Sequence, residues 1–269
     1  MSTLPTLFFA HANGFPGGSY RTFLAPLGEE FEVVAMDRVG HDPEFPVGPG
    51  WHELSRQVER ELAGLTGPVT AVGHSMGGVL LFMVASRRPE WFDSLIMLDP
   101  PLINGWREVL FGLGRLFGQI DRITPAGRSQ GRRAHFRDWQ DVEGYFERRG
   151  FFQALDPRCL RDYLDAGLES DGGGGWRLRF DPDREVEIFR TTPLGLDRWP
   201  RLRVPAMLIN GRDSPAPFHD CGRRHARRHG MLYDMAPGGH MFPLEKPDMT
   251  ARQVSEGLAR LREQARVPA

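Results

Sequence analysis

Short apolar runs recur along the chain, and the segments between most of them have helical periodicity. The runs lie at residues 7–10, 32–36, 69–72, 95–98, 206–209 and 231–235. Within the segment 51–65, for example, Leu54, Val58 and Leu62 fall on one face of a helix. Buried strands that alternate with amphipathic helices are typical of a parallel sheet covered by helices on both faces. The pattern therefore predicts an α/β fold.

This alternation stops between residues 102 and 200 and resumes after them. The elements predicted inside this segment are helices at 106–117 and 134–149, a glycine-rich turn at 171–175 and a strand at 176–180. Because the strand–helix pattern resumes afterwards, we expect an insertion into one domain and not a separate terminal domain. The predicted division is a core of residues 1–101 and 201–269 with a mainly helical cap at 102–200.

A serine flanked by glycines follows the third predicted strand. Residues 73–78 read Gly-His-Ser-Met-Gly-Gly and precede an apolar helical run at 79–85. Between a strand and a helix, Gly-x-Ser-x-Gly forms a sharp turn that exposes the serine hydroxyl at the top of the sheet. Gly73 and Gly77 leave room where the strand and the helix crowd together, and the positive end of the helix points at Ser75. The motif predicts Ser75 as a nucleophile.

Other residues with catalytic chemistry also follow predicted strands. Asp99 comes directly after the fourth run, Asp213 follows the fifth, and His240 lies in the loop after the last. The glycine- and proline-rich loop 11–18 follows the first. Because ligands bind at the carboxyl ends of strands in open α/β sheets, we expect these residues to converge with Ser75 at one edge.

The composition is that of a soluble globular protein. Of the 269 residues, 40% are hydrophobic and 26% are charged, and 34 basic residues nearly balance 35 acidic ones. A net charge of −1 gives no reason to expect nucleic acid or an anionic membrane as a partner. The amino terminus lacks the pattern of a signal peptide, and no apolar run approaches the length of a membrane span. We therefore expect a cytoplasmic protein. The sequence does not decide whether it forms a homodimer.

The cysteines and most of the histidines receive structural interpretations. Cys159 and Cys221 have neither metal-binding nor redox spacing, so no metal site, disulfide or cofactor is expected. His225 and His229 lie on a polar, arginine-rich helix and are predicted to be solvated, whereas His74 is predicted to be packed beside the nucleophile. A solvated charged face is likewise predicted for Arg128, Arg132, Arg133, Arg137, Arg148 and Arg149.

Taken together, the motifs resemble those of the α/β-hydrolase superfamily over nearly the whole chain. They are His-Ala-Asn-Gly-Phe-Pro at 11–16, Asp-Arg-Val-Gly-His at 37–41, the serine turn at 73–78, Leu-Asp-Pro at 98–100 and Gly-His-Met-Phe-Pro-Leu-Glu-Lys-Pro at 239–247. The resemblance implies a mostly parallel sheet with helices on both faces, an inserted cap and a Ser-His-Asp triad. It says little about the substrate, because this superfamily hosts many chemistries.

The resemblance assigns His240 as the base that activates Ser75. An acid is then needed to fix the imidazole tautomer and to stabilise its charged form. Many relatives carry this acid after the penultimate strand at a position that corresponds here to Ser214, which cannot serve. The alternatives are Asp213, one residue earlier, and Asp99, since some members such as the haloalkane dehalogenases take their acid from this strand end. We favour Asp99.

Two backbone N–H groups are expected to bind the oxyanion of the reaction. One belongs to Met76, directly after the nucleophile, and the other to Asn13 in the first loop. Preorganised donors of this kind contribute about 10²–10³ in rate each. His11 is expected to form structural hydrogen bonds near the same loop.

Three functional hypotheses follow. The leading one is a serine hydrolase that cleaves a small-molecule carboxylic ester or thioester through an acyl-enzyme. The second is hydrolysis of a carbon–carbon bond in a β-diketone-like substrate with the same triad. The third is a capped ligand-binding protein with a vestigial triad, which only the missing acid at Ser214 favours. A dehalogenase or epoxide hydrolase is disfavoured, because those chemistries need a carboxylate in place of Ser75.

Overall fold

Six parallel strands form the central sheet of the protein, whose computed structural model describes residues 4–266. The strands of this described part are β1 (Thr6–Ala10), β2 (Glu32–Ala35), β3 (Val69–His74), β4 (Phe92–Leu98), β5 (His135–Phe136), β6 (Leu168–Ser170), β7 (Trp176–Leu178), β8 (Ala206–Gly211) and β9 (Leu232–Ala236). Its α-helices are α1 (Arg21–Leu24), α2 (His52–Ala63), α3 (Met76–Arg87), α4 (Trp106–Leu116), α5 (Ile120–Ile123), α6 (Ala126–Ser129), α7 (Trp139–Glu147), α8 (Gly150–Gln153), α9 (Pro157–Gly167), α10 (Pro182–Arg190), α11 (Ala216–His229), α12 (Phe242–Glu245) and α13 (Pro247–Arg266). Short 3-10 turns lie at Gly17–Tyr20, Ala25–Glu29, Pro49–Trp51, Pro89–Trp91 and Leu196–Arg198.

The strand order of the central sheet is β2-β1-β3-β4-β8-β9, and each neighbouring pair is parallel. These are the six strands that the apolar runs predict. The register pairs Ala10 of β1 with Gly73 of β3, and His74 of β3 with Leu98 of β4. The carboxyl ends of the three central strands therefore meet at one edge, as the sequence pattern requires.

The helix after the serine turn is apolar around its whole circumference because it is buried on all sides. Residues 76–85 of α3 are all buried, and the helix packs between the central strands and α2. Helix α2 buries a stripe that includes Leu54, Val58 and Leu62, as its periodicity predicts. Within residues 4–266 no helix combines the length and the apolar character that crossing a membrane requires.

The segment 102–200, predicted as a cap, forms helices α4 to α10 and a small antiparallel sheet in the order β5-β7-β6. The predicted helix 134–149 is wrong at its amino-terminal end, where Phe136 pairs with Trp176 of β7. Helix α7 begins later because the Asp138 side chain accepts a hydrogen bond from the Asp141 N–H and so caps it.

Aromatic side chains join this segment to the loop that follows β1. The ring centroids of Phe15 and Tyr163 are 4.8 Å apart, and those of Tyr163 and Phe146 are 5.5 Å apart. All three side chains are buried. Since burial of one large apolar side chain contributes about 1.5–3 kcal/mol, this cluster fixes the first loop against α7 and α9.

Helix α11 is buried along one face, contrary to the solvation that its arginine-rich sequence suggests. His225 is 0% exposed and His229 is 2% exposed, and both rings pack against Phe82 with centroid distances of 4.6 and 4.8 Å. The prediction that these two histidines are solvated is wrong. The reason is their spacing, since residues four apart share one helix face and that face contacts the core.

Candidate active site

Ser75 occupies the tight turn between β3 and α3. Its backbone adopts φ 51° and ψ −117°, which residues other than glycine rarely do. The Ser75 N–H donates a 2.8 Å hydrogen bond to the Leu98 carbonyl and so fixes the turn to the end of β4. A Cβ on Gly77 would lie only 2.1 Å from the Ala10 carbonyl oxygen, so glycine lets α3 begin directly against β1. Backbone strain of this kind costs about 1–3 kcal/mol and is concentrated at functional sites.

Ser75, His240 and Asp99 form one hydrogen-bonded chain. His240 lies between β9 and α12, with its Nε2 3.1 Å from Ser75 Oγ and its Nδ1 2.7 Å from Asp99 Oδ2. Because an ionised carboxylate can only accept, the Nδ1–H of His240 donates to Asp99. The Nε2 atom is then left to accept the hydroxyl proton of Ser75. The structure therefore brings together one residue from each of three strand ends.

Asp99 is fully buried and accepts four hydrogen bonds. Its Oδ1 accepts from Asn210 Nδ2 at 2.8 Å and from the Gly211 N–H at 2.9 Å. Its Oδ2 accepts from Ser214 Oγ at 2.8 Å, in addition to His240. Burial opposes ionisation, but the bonds from His240, Asn210 and Gly211 hold the pKa of Asp99 below its ordinary value of 3.8. Asp99 is therefore charged at neutral pH.

The alternative acid, Asp213, lies outside this hydrogen-bonded chain. It is exposed, and its N–H donates to the Gly238 carbonyl at 2.9 Å. Ser214 stands where many relatives carry the acid, and here its hydroxyl binds Asp99 instead. The motifs do not single out Asn210, although a polar residue near the end of the buried strand β8 is a signal for such a contact.

A buried neutral histidine supports the loops on both sides of the nucleophile. Burial, reinforced by the neighbouring His240, lowers the pKa of His74 to about 3. Its Nε2 lies 2.8 Å from the His240 carbonyl, which can only accept, so the single ring proton is on Nε2. Its Nδ1 therefore accepts from the Tyr20 hydroxyl at 2.7 Å, and that oxygen accepts from the Ala12 N–H at 3.3 Å. His74 is packed, as predicted, and it connects the His240 loop to the first loop.

The two N–H groups predicted to bind the oxyanion, those of Met76 and Asn13, donate no hydrogen bond within residues 4–266. Met76 is the first residue of α3, where N–H groups have no partner inside the helix. The next donor, the Gly77 N–H, binds the His11 carbonyl at 3.1 Å and joins the helix to the first loop. The Asn13 side chain is already engaged, since its Nδ2 donates to the Glu185 carbonyl at 2.9 Å.

A buried ion pair from the segment 102–200 lies against the same loop. Glu185 Oε2 is 3.1 Å from Arg132 Nη2, and these side chains are only 7% and 13% exposed. A Cβ on Gly14 would lie 3.0 Å from Glu185 Oε2, and Glu185 Oε1 accepts from Ser129 Oγ at 2.7 Å. The predicted solvation is therefore wrong for Arg132, because Glu185 compensates its charge inside the protein.

Comparison with known proteins agrees with this architecture. The model of the family described as the alpha/beta hydrolase family matches residues 7–253. Human monoglyceride lipase is 31% identical over 105 residues, which are 35% of this chain and 34% of that protein. Lipase LipV of Mycobacterium tuberculosis is 28% identical over 155 residues, which are 55% of this chain and 53% of that protein. The chain thus spans between a third and about half of the length of these curated relatives.

The solved structure of the thioesterase domain from the curacin biosynthetic pathway superposes on this protein with a TM-score of 0.70 and 20% identity. The superposition covers 94% of this chain and 91% of that domain, which shows a shared fold. The matched family model covers both the serine turn and the loop of His240. Since it spans nearly the whole chain, this protein belongs to the alpha/beta hydrolase family.

Proposed function

We propose that this protein is a serine hydrolase that cleaves a small-molecule carboxylic ester or thioester through an acyl-enzyme. The observation that carries the proposal is the hydrogen-bonded chain from Asp99 through His240 to Ser75, with distances of 2.7 and 3.1 Å. A serine hydroxyl is a weak nucleophile unless a base removes its proton, and this arrangement supplies the base and its orienting acid.

The proposed reaction has two halves. Ser75 Oγ attacks the acyl carbon while His240 Nε2 takes its proton, and charged Asp99 stabilises the imidazolium that forms. The Met76 and Asn13 N–H groups bind the oxyanion, and the absence of a hydrogen bond from either group within residues 4–266 supports this assignment. Collapse of the intermediate passes the proton to the leaving alcohol or thiol. Water then repeats the sequence on the acyl-enzyme and releases the carboxylic acid.

The site and the names of the relatives support the proposed substrate class. Two aligned relatives are called lipases, and a structural neighbour is called a thioesterase. The Phe218 ring of α11 lies 5.2 Å from the His240 ring, which favours an apolar group beside the base. Residues 102–200 serve as the cap in this proposal, and the hydrogen bond from Asn13 Nδ2 to the Glu185 carbonyl, which joins that segment to the first loop, supports this role.

The hydrogen bond of Ser214 argues against the hypothesis of a vestigial triad. That hypothesis rests on Ser214, which occupies the usual position of the acid. The Ser214 hydroxyl donates to Asp99 at 2.8 Å. A serine at this position therefore fits a triad whose acid, Asp99, follows β4. Carbon–carbon bond hydrolysis would use the same residues, and substrate assays separate it from ester cleavage.

Labelling with a fluorophosphonate probe tests the proposal. The wild-type protein should be labelled, whereas Ser75→Ala should not be, and His240→Gln should be labelled far more slowly. The matched control is His135→Gln, which changes an exposed histidine of β5 and should label like the wild type. Circular dichroism establishes that each variant is folded.

A second measurement addresses the acyl-enzyme. Nitrophenyl esters of increasing acyl length should give a burst of about one nitrophenolate per protein chain, because a covalent intermediate accumulates. Acyl thioesters and β-diketones are then compared at equal concentration. A folded wild-type protein that shows neither labelling nor turnover would contradict the hydrolase proposal and favour a ligand-binding protein.

A further inference from the structure

We propose that Asp197, His225 and His229 form a binding site for a divalent transition-metal ion, zinc above all. The site is separate from the candidate active site. His225 lies two helical turns along α11 from Phe218, which is about 10 Å at 1.5 Å per residue. Asp197 belongs to the 3-10 turn Leu196–Arg198, by which the segment 102–200 returns to the core before β8.

The three side chains already converge. One ligand atom from each lies within 4.8 Å of the other two. His225 and His229 are four residues apart on α11, with ring centroids 4.4 Å apart, and His225 Nδ1 is 2.7 Å from Asp197 Oδ1. Two histidines at this helical spacing are a common pair of metal ligands on one face of a helix.

The cluster contains buried ring nitrogens that make no hydrogen bond within residues 4–266. These atoms are both ring nitrogens of His229 and the Nε2 of His225. An unsatisfied buried polar group destabilises the folded protein, so several in one place require an explanation. A bound cation would coordinate one of the two His229 nitrogens, which a purely structural cluster would leave unpaired.

The chemistry of the donors indicates the ion. Two imidazoles and one carboxylate suit zinc, whereas magnesium and calcium prefer oxygen ligands alone. Burial lowers the pKa of His225 and lowers that of His229 to about 4. Repulsion between the two rings when both are protonated adds to the lowering at His229. Asp197 and the nearby Leu196 carbonyl oppose the shift of His229. Both rings are therefore neutral at pH 7, which is the form that binds metal.

Binding requires the ligand atoms, which now lie within 4.8 Å of one another, to adopt the spacing of a coordination site. Tetrahedral zinc with bonds of about 2.0–2.1 Å places neighbouring ligand atoms about 3.3 Å apart. The ion would take the place of the proton between His225 Nδ1 and Asp197 Oδ1, and that proton would move to Nε2 of the neutral ring. The 2.7 Å contact would then open to the ligand spacing, while His229 would move inward. A bound water is expected as the fourth ligand.

Two arginines set the charge around the site. Arg224 Nε is 3.3 Å from Asp197 Oδ2, and Arg228 Nε donates to the Asp197 carbonyl at 2.9 Å. The Arg224 charge competes with a cation for the same carboxylate oxygen. Replacing it with an uncharged side chain should therefore strengthen metal binding, which a structural role of the cluster would not predict.

The test uses the full chain, stripped with a chelator and titrated with zinc chloride alone in a calorimeter. One zinc per chain should bind, and the thermal unfolding temperature should rise with zinc concentration, because the ion binds the folded state. His229→Gln should weaken the affinity by at least about 100-fold, while Arg224→Met should tighten it. His135→Gln is the matched control and should bind zinc like the wild type.

Cobalt gives an independent readout on the wild-type protein, whatever the variants do. Bound Co²⁺ should develop the intense visible absorption of a four-coordinate site, and one equivalent of zinc should abolish it. The proposal is overturned by a wild-type dissociation constant weaker than about 1 mM, or by zinc binding that His229→Gln leaves unchanged. Either result would mean that water or the Leu196 carbonyl, and not a metal ion, binds the buried ring nitrogens.

Discussion

Two of the residues in the candidate active site, Ser75 and Asp99, have positive φ angles of 51° and 43°. Side chains other than glycine adopt this region only when surrounding contacts compensate the strain. At Ser75 the compensation is the hydrogen bond to Leu98, and at Asp99 it is the bond from its N–H to the Ile209 carbonyl at 2.7 Å. These two hydrogen bonds therefore fix both residues at the same edge of the sheet.

At the residue scale, Asp99→Asn is expected to reduce kcat for ester hydrolysis by about 10⁴ without a large change in KM. The reason is that an amide no longer holds the proton of His240 on Nδ1, although its size fits the same buried space. The measurement is steady-state hydrolysis of a nitrophenyl ester, with folding checked by circular dichroism.

The matched control is Asp213→Asn, which removes the other candidate carboxylate. Because Asp213 is exposed and makes no hydrogen bond with His240, this variant should keep nearly all of its turnover. If Asp213→Asn were the damaging change and Asp99→Asn the mild one, the assignment of the acid would be wrong.

At the scale of elements, helices α4 and α7 of the segment 102–200 differ in how they use their apolar residues. No residue of α4 is buried, whereas α7 buries Val142 and Phe146. The α4 residues Trp106, Val109, Leu110, Leu113 and Leu116 are all exposed. Apolar residues with similar helical spacing therefore contribute much stability in α7 and little in α4, since the hydrophobic effect depends on the area removed from water.

This contrast gives a stability prediction. Phe146→Ala should lower the free energy of unfolding by about 3–5 kcal/mol, because the ring is 0% exposed and packs against Tyr163 and Phe152. Leu116→Gln should change it by less than about 0.5 kcal/mol, because Leu116 is 76% exposed and glutamine is also a good helix former. Urea unfolding at constant m-value measures both, and equal effects would contradict the packing described for α7.

For the whole molecule, buried neutral histidines make stability depend on pH. Burial is the main cause that lowers the pKa of His11 to about 4, of His74 to about 3 and of His229 to about 4, each from 6.5. As the pH falls below 6.5, these histidines bind protons in the unfolded chain but stay neutral in the folded protein. The free energy of unfolding should therefore fall between pH 6.5 and about 4, by up to about 1.4 kcal/mol per pH unit for each group.

Urea unfolding at pH 7, 6 and 5 in the presence of EDTA checks this dependence. His229→Gln should flatten the profile by removing one of the three groups, and His135→Gln should leave it unchanged because that side chain is exposed. The depressed pKa of Asp99 acts in a lower window, since its contribution is lost only as the pH falls below about 3.8. A profile that is flat from pH 7 to 5 would contradict the burial of these rings.

Much of the fold and part of the candidate site follow from local sequence patterns. The six strands of the central sheet coincide with short apolar runs, and such runs are required above all by the four inner strands, which are largely buried. Glycine spacing around Ser75 and its place between a strand and a helix indicate the turn, because only glycine fits where α3 meets β1. Residues after parallel strands share one edge, which is why Asp99 and His240 could be listed as candidates from sequence.

The choice among those candidates belongs to the tertiary structure. Asp99 and Asp213 both follow strands, but only Asp99 contacts His240, and that contact joins residues 141 positions apart. The periodicity of α11 shows that His225 and His229 share a face, but not that Phe82 covers it or that Asp197 lies beside it. Arg132 likewise resembles its solvated neighbours until Glu185 is placed next to it. Sequence patterns determine elements because they reflect local periodicity, whereas burial and pairing depend on which distant side chains the packed strands and helices bring into contact.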